Sequence, residues 1–267
     1  MIALLLRSAS QARYLLLGAF ALLFGFQLII VGQAAEIERT RSFSRMADLL
    51  PGFLQRGLGS KAMLLATFKG TVSFGYFHPV VGVLVAIVAI YLLTEPAHEV
   101  ESGLVDVELA RAVPRHRLVT RSLLLAGLSV GVAVTLMFVG TSLGARIFDA
   151  GGFDLPSFGV RFRLLAHLAA VAACLGGFAL LMATCSERWM TAFTTAALTT
   201  VVTYLVDFLA IGWRPMRAIV WISPFHYYPA LSIIAGDAPA AGNLVVLLSA
   251  AAVFVALAYW QFQRRDL

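Results

Sequence analysis

Charged side chains are concentrated between residues 95 and 121, where the sequence reads EPAHEVESGLVDVELARAVPRHRLVTR. This segment holds five of the fourteen acidic residues of the chain. Gly103 allows a bend, and Pro114 ends one helix or begins another. Apolar residues recur at helical spacing between the charges, namely Val100, Leu104, Val107 and Ala110. This pattern is typical either of an ordinary solvated helix or of a docking surface for a soluble partner, where charges set register and partner choice.

We identify no motif for catalysis or nucleotide binding to accompany this segment. The glycines at 57–61, GLGSK, lack the spacing of a phosphate-binding loop, and we find neither a nucleophile elbow nor a zinc-binding HExxH. Cys174 and Cys185 would lie about 16 Å apart along one helix, too far for a disulfide, and two isolated cysteines cannot build a zinc site. The sequence therefore predicts a chain that is not an enzyme and holds no metal.

The composition is that of a membrane protein. Of the 267 residues, 60% are hydrophobic and 13% are charged, whereas soluble domains are about 45–50% apolar and about 25% charged. The net charge of +6 comes from Lys and Arg in the loops, which favours lipid headgroups over nucleic acid as the partner. The length fits a single transmembrane domain over residues 1–267 without a large soluble domain.

Six apolar stretches are long enough, or nearly so, to cross a bilayer as helices, because a span needs about 20 residues. Each must be helical, since an open strand would leave backbone groups unpaired in lipid. The fold class predicted is thus an all-α integral membrane protein. The predicted spans are 14–33, 77–94, 122–143, 164–184, 192–210 and 244–262.

Three segments outside the spans have patterns of their own. The first residues, Met1–Arg13, predict either a short interfacial helix or the frayed start of the first span. The long connection Ala34–Tyr76 alternates charged and apolar residues, which predicts amphipathic helices on the membrane, broken near Pro51-Gly52 and Gly57–Gly59. The aromatic and proline-rich segment Gly212–Asn243 predicts an interfacial or partly re-entrant helix pair that breaks near Ser223-Pro224.

Polar residues within the predicted spans have alternative interpretations. An ionisable group in a membrane is costly, so Asp207 either is hydrated or paired near the interface, with Arg214 or Arg217 as the candidate partners, or lines a substrate path. His167, near the start of the fourth span, is interpreted as structural. A stripe of hydroxyls in the fifth span is expected to pack against another helix: Thr195, Thr199 and Thr203. The pairs Gly127/Gly131 and Gly140/Gly144 predict close helix packing within the bundle rather than dimerisation.

The order and spacing of these features resemble the permeases of ABC-2-type transporters. In that family an acidic stretch of the form E-x-E-x-G-x-x-(D/E) is followed by an apolar turn, a proline and a basic approach to the third span. Arg111 departs mildly from the pattern, because the family often has a small polar residue there. The matching residues are Glu99, Glu101, Gly103, Asp106, Leu109, Pro114 and Arg115, with further matches at His78-Pro79, Ser223-Pro224-Phe225 and Arg264–Leu267.

This resemblance implies the membrane subunit of an ATP-driven exporter in the inner membrane of a bacterium. Such permeases work as dimers, with an identical or closely related second copy, beside two ATPase subunits that carry the ATP and Mg, so no cofactor is expected on this chain. The segment 99–115 would be a cytoplasmic coupling helix. The charges at the span ends leave the orientation open, but the resemblance implies that both termini are cytoplasmic. The expected partner-binding residues are Glu99, Glu101, Gly103, Asp106, Leu109, Arg111, Pro114 and Arg115.

The resemblance further implies that spans two and five line the path, so Thr195, Thr199, Thr203 and Asp207 would face the translocation path or the dimer seam. The apolar lining suits a lipophilic or amphiphilic cargo. Two alternatives remain open: a secondary transporter or channel that needs no ATPase, and a membrane anchor or assembly factor that recruits soluble partners without transport. A secondary transporter would show charged groups at mid-membrane or inverted repeats with broken helices.

Overall fold

Long apolar helices account for most of the chain. The computed structural model describes residues 2–40, 62–104, 116–237 and 241–264, and within these ranges six helical stretches are long and apolar enough to cross a membrane. No strand occurs in the described ranges. The all-α fold with six spans is therefore confirmed. The principal helices are Ile2–Gln11 (α1), Arg13–Arg39 (α2), Phe68–Phe77 (α3), Pro79–Glu101 (α4), His116–Ile147 (α5), Phe158–Cys185 (α6), Trp189–Ala210 (α7) and Ala241–Arg264 (α8).

The helices continue past the apolar stretches that identify them. α4 runs beyond Thr94 to Glu101, and it ends where Gly103 takes a φ of 71°, a backbone conformation that glycine adopts without strain. α2 likewise continues to Arg39. The reason is that a helix is ended by a capping or breaking residue rather than by the edge of the hydrocarbon layer.

The second span is interrupted at His78-Pro79. His78 is extended, with φ −58° and ψ 137°, because proline disfavours a helical conformation in the residue before it. The His78 imidazole Nδ1 accepts a hydrogen bond from the Val80 amide at 3.2 Å and so caps α4. α3 thus leads into α4 through a bend, and the two helices together form the span Phe68–Glu101.

α3 differs from the surface helix expected in this part of the chain, because it packs against α2 and buries Phe68, Val72 and Tyr76. The breaks expected at Pro51-Gly52 and Gly57–Gly59 lie outside the described residues. At the other end, α1 is a separate helix that meets α2 at a bend at Ala12, and Ser8 and Ala12 are buried. The first residues therefore form a helix of their own and are not the frayed start of the first span.

The centre of the bundle is α6, which contacts α4, α7 and α8. Its many small residues allow this close approach. A β-carbon built at Gly177 would lie 3.1 Å from the Ala251 carbonyl oxygen of α8, and one at Gly176 would meet the Leu93 side chain of α4. His167 is buried in the same helix, where Nδ1 lies 2.8 Å from the Arg163 carbonyl oxygen.

Helices α2, α3 and α5 meet at a buried polar cluster. The Tyr76 hydroxyl donates to Thr141 Oγ1 at 2.6 Å, and the Thr141 hydroxyl contacts Gln27 Oε1 at 3.3 Å. All three residues are fully buried. Gly75 must lack a side chain, since a β-carbon there would lie 2.6 Å from Gln27 Oε1. The cluster fixes how α3 sits against α2 and α5, because buried polar groups must keep their hydrogen bonds.

The two glycine pairs of α5 have different surroundings. A β-carbon at Gly140 would lie 3.0 Å from the Phe24 carbonyl oxygen, and one at Gly144 would lie 3.1 Å from Val31, so this pair packs closely on α2 as expected. A β-carbon at Gly127 or Gly131 would meet nothing within 4 Å, so close packing was the wrong expectation for that pair. Contrary to the motif interpretation given above, residues 127–131 (GLSVG) do match the G-x-S-x-G pattern of a nucleophile elbow, but they lie inside a continuous helix and form no strand-to-helix turn.

Substitution of Gly140 by alanine is expected to destabilise the fold by about 1–3 kcal/mol, because the added methyl group meets a backbone carbonyl that cannot move aside. Alanine at Gly131 is the matched control on the same helix and should be neutral or slightly stabilising, since nothing lies near that position. Unfolding of the purified proteins in mixed micelles, followed by tryptophan fluorescence, measures both. Equal stabilities for the two variants would contradict the packing described.

Candidate coupling end and candidate cargo cavity

The end of α4 and the start of α5 are joined by a buried ion pair. Arg121 Nη2 lies 2.7 Å from Glu99 Oε2 and 3.7 Å from Glu95 Oε1. The Arg121 residue is 0% exposed and Glu99 is 4% exposed. Glu95 and Glu99 are four residues apart and so lie on one face of α4, one turn apart. Removal of a charge from such a site is costly, so this contact fixes α4 and α5 against each other.

A second set of contacts joins the end of α4 to the start of α7 through Trp189. The Trp189 amide donates to Glu101 Oε2 at 2.8 Å, and the indole Nε1 donates to Thr94 Oγ1 at 3.1 Å. The ring also meets Tyr91 and His98 edge-on, at centroid distances of 6.2 and 5.8 Å. Glu101 thereby places a carboxylate at the N-terminus of α7, where unpaired amides and the helix dipole favour negative charge.

These contacts change the expectation for two predicted docking residues. The Glu99 carboxylate faces Arg121 inside the chain, and the Glu101 carboxylate, although on an exposed residue, accepts from Trp189. Gly103 forms the bend expected of it. The other expected partner-binding residues, Asp106, Leu109, Arg111, Pro114 and Arg115, lie outside the described part of the chain. Contact with a partner thus remains a prediction. Direct contact through the Glu99 carboxylate would require the ion pair between Glu99 and Arg121 to break.

Sequence reasoning missed Arg121, Trp189 and Thr94 as members of this site. Arg121 lies in the basic approach to the third span, and the four-residue spacing of Glu95 and Glu99 is a signal that one cation could pair with both. Trp189 and Thr94 gave no such signal, because their contacts join residues 95 positions apart in the chain.

At the opposite end of α4, the segment after α7 folds back onto the bundle. Ser223 Oγ donates to the Thr203 carbonyl oxygen at 2.8 Å and accepts from the Phe225 amide at 3.2 Å, so the predicted break at Ser223-Pro224 is present and capped. The Tyr228 hydroxyl donates to the Tyr76 carbonyl oxygen at 3.3 Å, and the Tyr228 ring stacks on His167 at 6.0 Å. Short helical turns follow one another through this segment at Arg214–Arg217, Val220–Ile222, Pro224–Tyr227 and Ala230–Ala235.

The folded-back segment closes one wall of a cavity of about 470 Å³. The other walls come from the bend between α3 and α4 and from the end of α7. Ring contacts link the walls, with Phe77 at 6.5 Å from Tyr228 and Tyr204 at 5.3 Å from Phe225. Six aromatic side chains line the cavity, together with the carboxylate of Asp207: Phe74, Phe77, Tyr204, Phe208, Phe225 and Tyr228.

Asp207 is not paired with either arginine that was expected to meet it. Arg217 instead donates from Nε to the Ala210 carbonyl oxygen at 3.0 Å and from Nη2 to the Ile211 carbonyl oxygen at 3.2 Å, which caps the C-terminus of α7. His226 attracts Asp207 electrostatically without forming an ion pair. Among the described residues, Asp207 thus forms no ion pair with an arginine, and its role in a substrate path stays a prediction.

The threonine stripe of α7 is only partly covered. Thr195 is exposed, Thr199 and Thr203 are half-buried, and the Thr203 hydroxyl donates to the Thr199 carbonyl oxygen at 2.8 Å. A hydroxyl that bonds its own helix presents its methyl group to the surroundings. A role of the stripe in a path or a dimer seam stays a prediction.

Substitution of Glu99 by glutamine is expected to lower stability by about 2–3 kcal/mol, less than the about 3–5 kcal/mol typical of a fully orphaned buried charge, because Glu95 remains beside Arg121. The matched control is Glu187→Gln, an exposed carboxylate in the connection between α6 and α7, which should change stability by less than about 0.5 kcal/mol. Denaturant unfolding in detergent compares them, and a Glu99 variant as stable as the control would show that the ion pair contributes little.

The chain can now be compared with known proteins. Residues 25–263, from within α2 almost to the end of α8, match the family model described as "Multidrug efflux system permease Rv1217c, C-terminal domain". A comparison with curated proteins finds no match. The family description agrees with a multi-pass helical bundle and with a cavity at one end of it. The chain therefore belongs to the family of the multidrug efflux system permease Rv1217c, C-terminal domain.

Proposed function

We propose that this permease is the membrane subunit of an ATP-driven exporter of the ABC-2 type. In this proposal the chain works as a dimer, with two copies of a separate ATPase that carries the ATP and Mg. The ATPase docks on the segment 99–115, and that segment and both chain termini face the cytoplasm of a bacterium. The cargo is lipophilic or amphiphilic. Membership of a multidrug efflux permease family supports the transport role.

The observation that carries the proposal is the connection of the docking segment to three spans. The segment begins at the end of α4, where Arg121 ties α4 to α5 and Trp189 ties α4 to α7. A force applied to the segment therefore acts on all three helices as one body. Rigid-body motion of packed helices is an established way to transmit a switch between distant sites.

Two of these helices run from the docking end to the cavity. α4 extends for 23 residues, which is about 35 Å at 1.5 Å per residue, and its first residue, Pro79, lines the cavity. α7 begins at Trp189 and reaches the cavity with Tyr204, Asp207 and Phe208. Closure of the partner ATPases would thus move two cavity walls relative to α3 and to the folded-back segment. This supports alternating access of the cavity.

Exchange of charge in the docking segment tests the partnership. Reversal of two charges, Asp106→Lys with Arg111→Glu, is expected to reduce co-purification of the ATPase from mild detergent by about tenfold or more, since loss of a charged contact at an interface costs about 2–5 kcal/mol. The protein should still insert in the membrane, because both residues lie outside the spans predicted from the sequence. Quantitative mass spectrometry of the purified complex gives the ratio of ATPase to permease.

The control is Glu187→Lys, which reverses an exposed charge at the same end of the bundle outside the segment and should retain the ATPase. Wild-type permease that purifies without any ATPase would favour a secondary transporter or channel. Binding that survives the double reversal would remove the docking role from the segment. A bound ATPase whose activity no lipophilic compound stimulates after reconstitution would favour an assembly factor over a transporter.

A further inference from the structure

Asp207 is the only charged residue among those that line the described cavity, whose walls are mostly apolar and aromatic. Among the residues that the structure describes, none forms a hydrogen bond or an ion pair with it. Arg217, one of the two arginines that follow it closely in the sequence, is bound to two backbone carbonyl oxygens at the end of α7. The charge is thus left available to whatever enters the cavity.

A carboxylate in such surroundings is costly unless a positive charge or hydrogen-bond donors accompany it. Within the described chain, no cationic side chain forms an ion pair with Asp207, and His226, which interacts with it electrostatically, has an exposed side chain. A cationic group within the cavity would offset the cost directly. An anion in the same place would be repelled by Asp207, and a neutral molecule without hydrogen-bond donors would gain nothing from it.

The aromatic walls favour the same class of ligand. Lysine, arginine and ligand cations are attracted to the faces of aromatic rings, and this attraction strengthens when water is excluded. Tyr204 lies one turn before Asp207 on α7, and its ring contacts Phe225 at 5.3 Å, so aromatic surface begins directly beside the carboxylate. The cavity therefore offers one negative charge surrounded by rings.

The size of the cavity sets the scale of the ligand. A volume of about 470 Å³ falls within the about 300–1,000 Å³ typical of sites for small organic molecules. It is far larger than a metal ion or a proton-carrying water requires. The groups that line it offer no set of carboxylate, histidine and cysteine ligands for a metal, and no such cluster occurs in the described ranges.

We propose that this cavity binds lipophilic organic cations and that Asp207 is the residue that selects for positive charge. The proposal deepens the transport function given above and rests on it for the cavity's role in export, whereas binding itself needs no ATPase. Aromatic rings supply contact area for the apolar part of the ligand, and the carboxylate supplies charge selectivity. Neutral lipophilic compounds without hydrogen-bond donors can enter the cavity, but Asp207 does not favour their binding.

Tetraphenylphosphonium and tetraphenylborate test this selectivity, because they share shape and apolar surface and differ in the sign of the charge. The purified permease in lipid nanodiscs is expected to bind the cation at least about tenfold more tightly than the anion, after subtraction of binding to nanodiscs without protein. Asp207→Asn should weaken cation binding about tenfold and leave anion binding unchanged or tighter. Equilibrium dialysis measures both ligands.

Two variants serve as controls. Asp154→Asn removes an exposed carboxylate from the connection between α5 and α6, which lies at the same end of the bundle, and should bind both ions as the wild type does. Asp207→Glu retains the charge and should keep the preference for the cation. A thermal unfolding midpoint close to that of the wild type shows that each variant is folded.

Several outcomes would overturn the proposal. They are equal binding of the two ions by the wild type, binding no greater than that of empty nanodiscs, or a cation affinity that survives Asp207→Asn. A variant that fails to fold leaves the comparison of the two ions on the wild type decisive. Because the assay contains no ATPase, selective binding by a protein that does not transport would reject the proposed function and retain the site.

Discussion

The burial of Arg121 against Glu99 constrains how the whole bundle can be assembled. A guanidinium group cannot lose its charge in a protein, so a buried arginine must bring carboxylates with it. Glu95 and Glu99 provide them from one face of α4, and that face must therefore point at α5. Glu101, two residues later, is rotated by about 200° around the helix. It therefore meets α7 on the other side, where it accepts from the Trp189 amide.

The same helix carries this arrangement to the cavity. α4 begins at Pro79, whose ring forces the bend that separates α3 from α4 and opens space between them. The interior position of α4 is held by α6, since Gly176 leaves room for the Leu93 side chain. A motion of α4 at its charged end therefore cannot be absorbed locally, because closely packed interiors transmit displacement. The bend at His78 is the position at which α4 can change its angle relative to α3.

The sequence predicts the spans well because lipid imposes a single rule, about 20 apolar residues in a helix. It predicts the break at Ser223-Pro224 because proline acts locally. It fails where contacts join distant positions. Nothing near Trp189 indicates Thr94 as its partner, and the glycines at 127 and 140 look alike although only Gly140 faces another helix closely. The expected pairing of Asp207 with an arginine was wrong for a related reason. Arg217 is close to Asp207 in the sequence, but its side chain is directed to the Ala210 carbonyl oxygen at the end of α7.

The two charged sites, at Arg121 and at Asp207, differ in whether the chain itself provides the opposite charge. At one end the chain surrounds Arg121 with carboxylates and encloses the group completely. At the other end it places Asp207 beside a cavity and directs the available arginine to backbone carbonyls. A charge that only stabilises the fold is expected to pair with an opposite charge in the same chain, as Arg121 does with Glu99. An unpaired charge away from water costs free energy and contributes nothing to the stability of the fold. A charge that must exchange partners has to remain open when no ligand is bound. Asp207 meets this requirement, and it lies at the end of the two helices, α4 and α7, that lead back to the proposed docking segment.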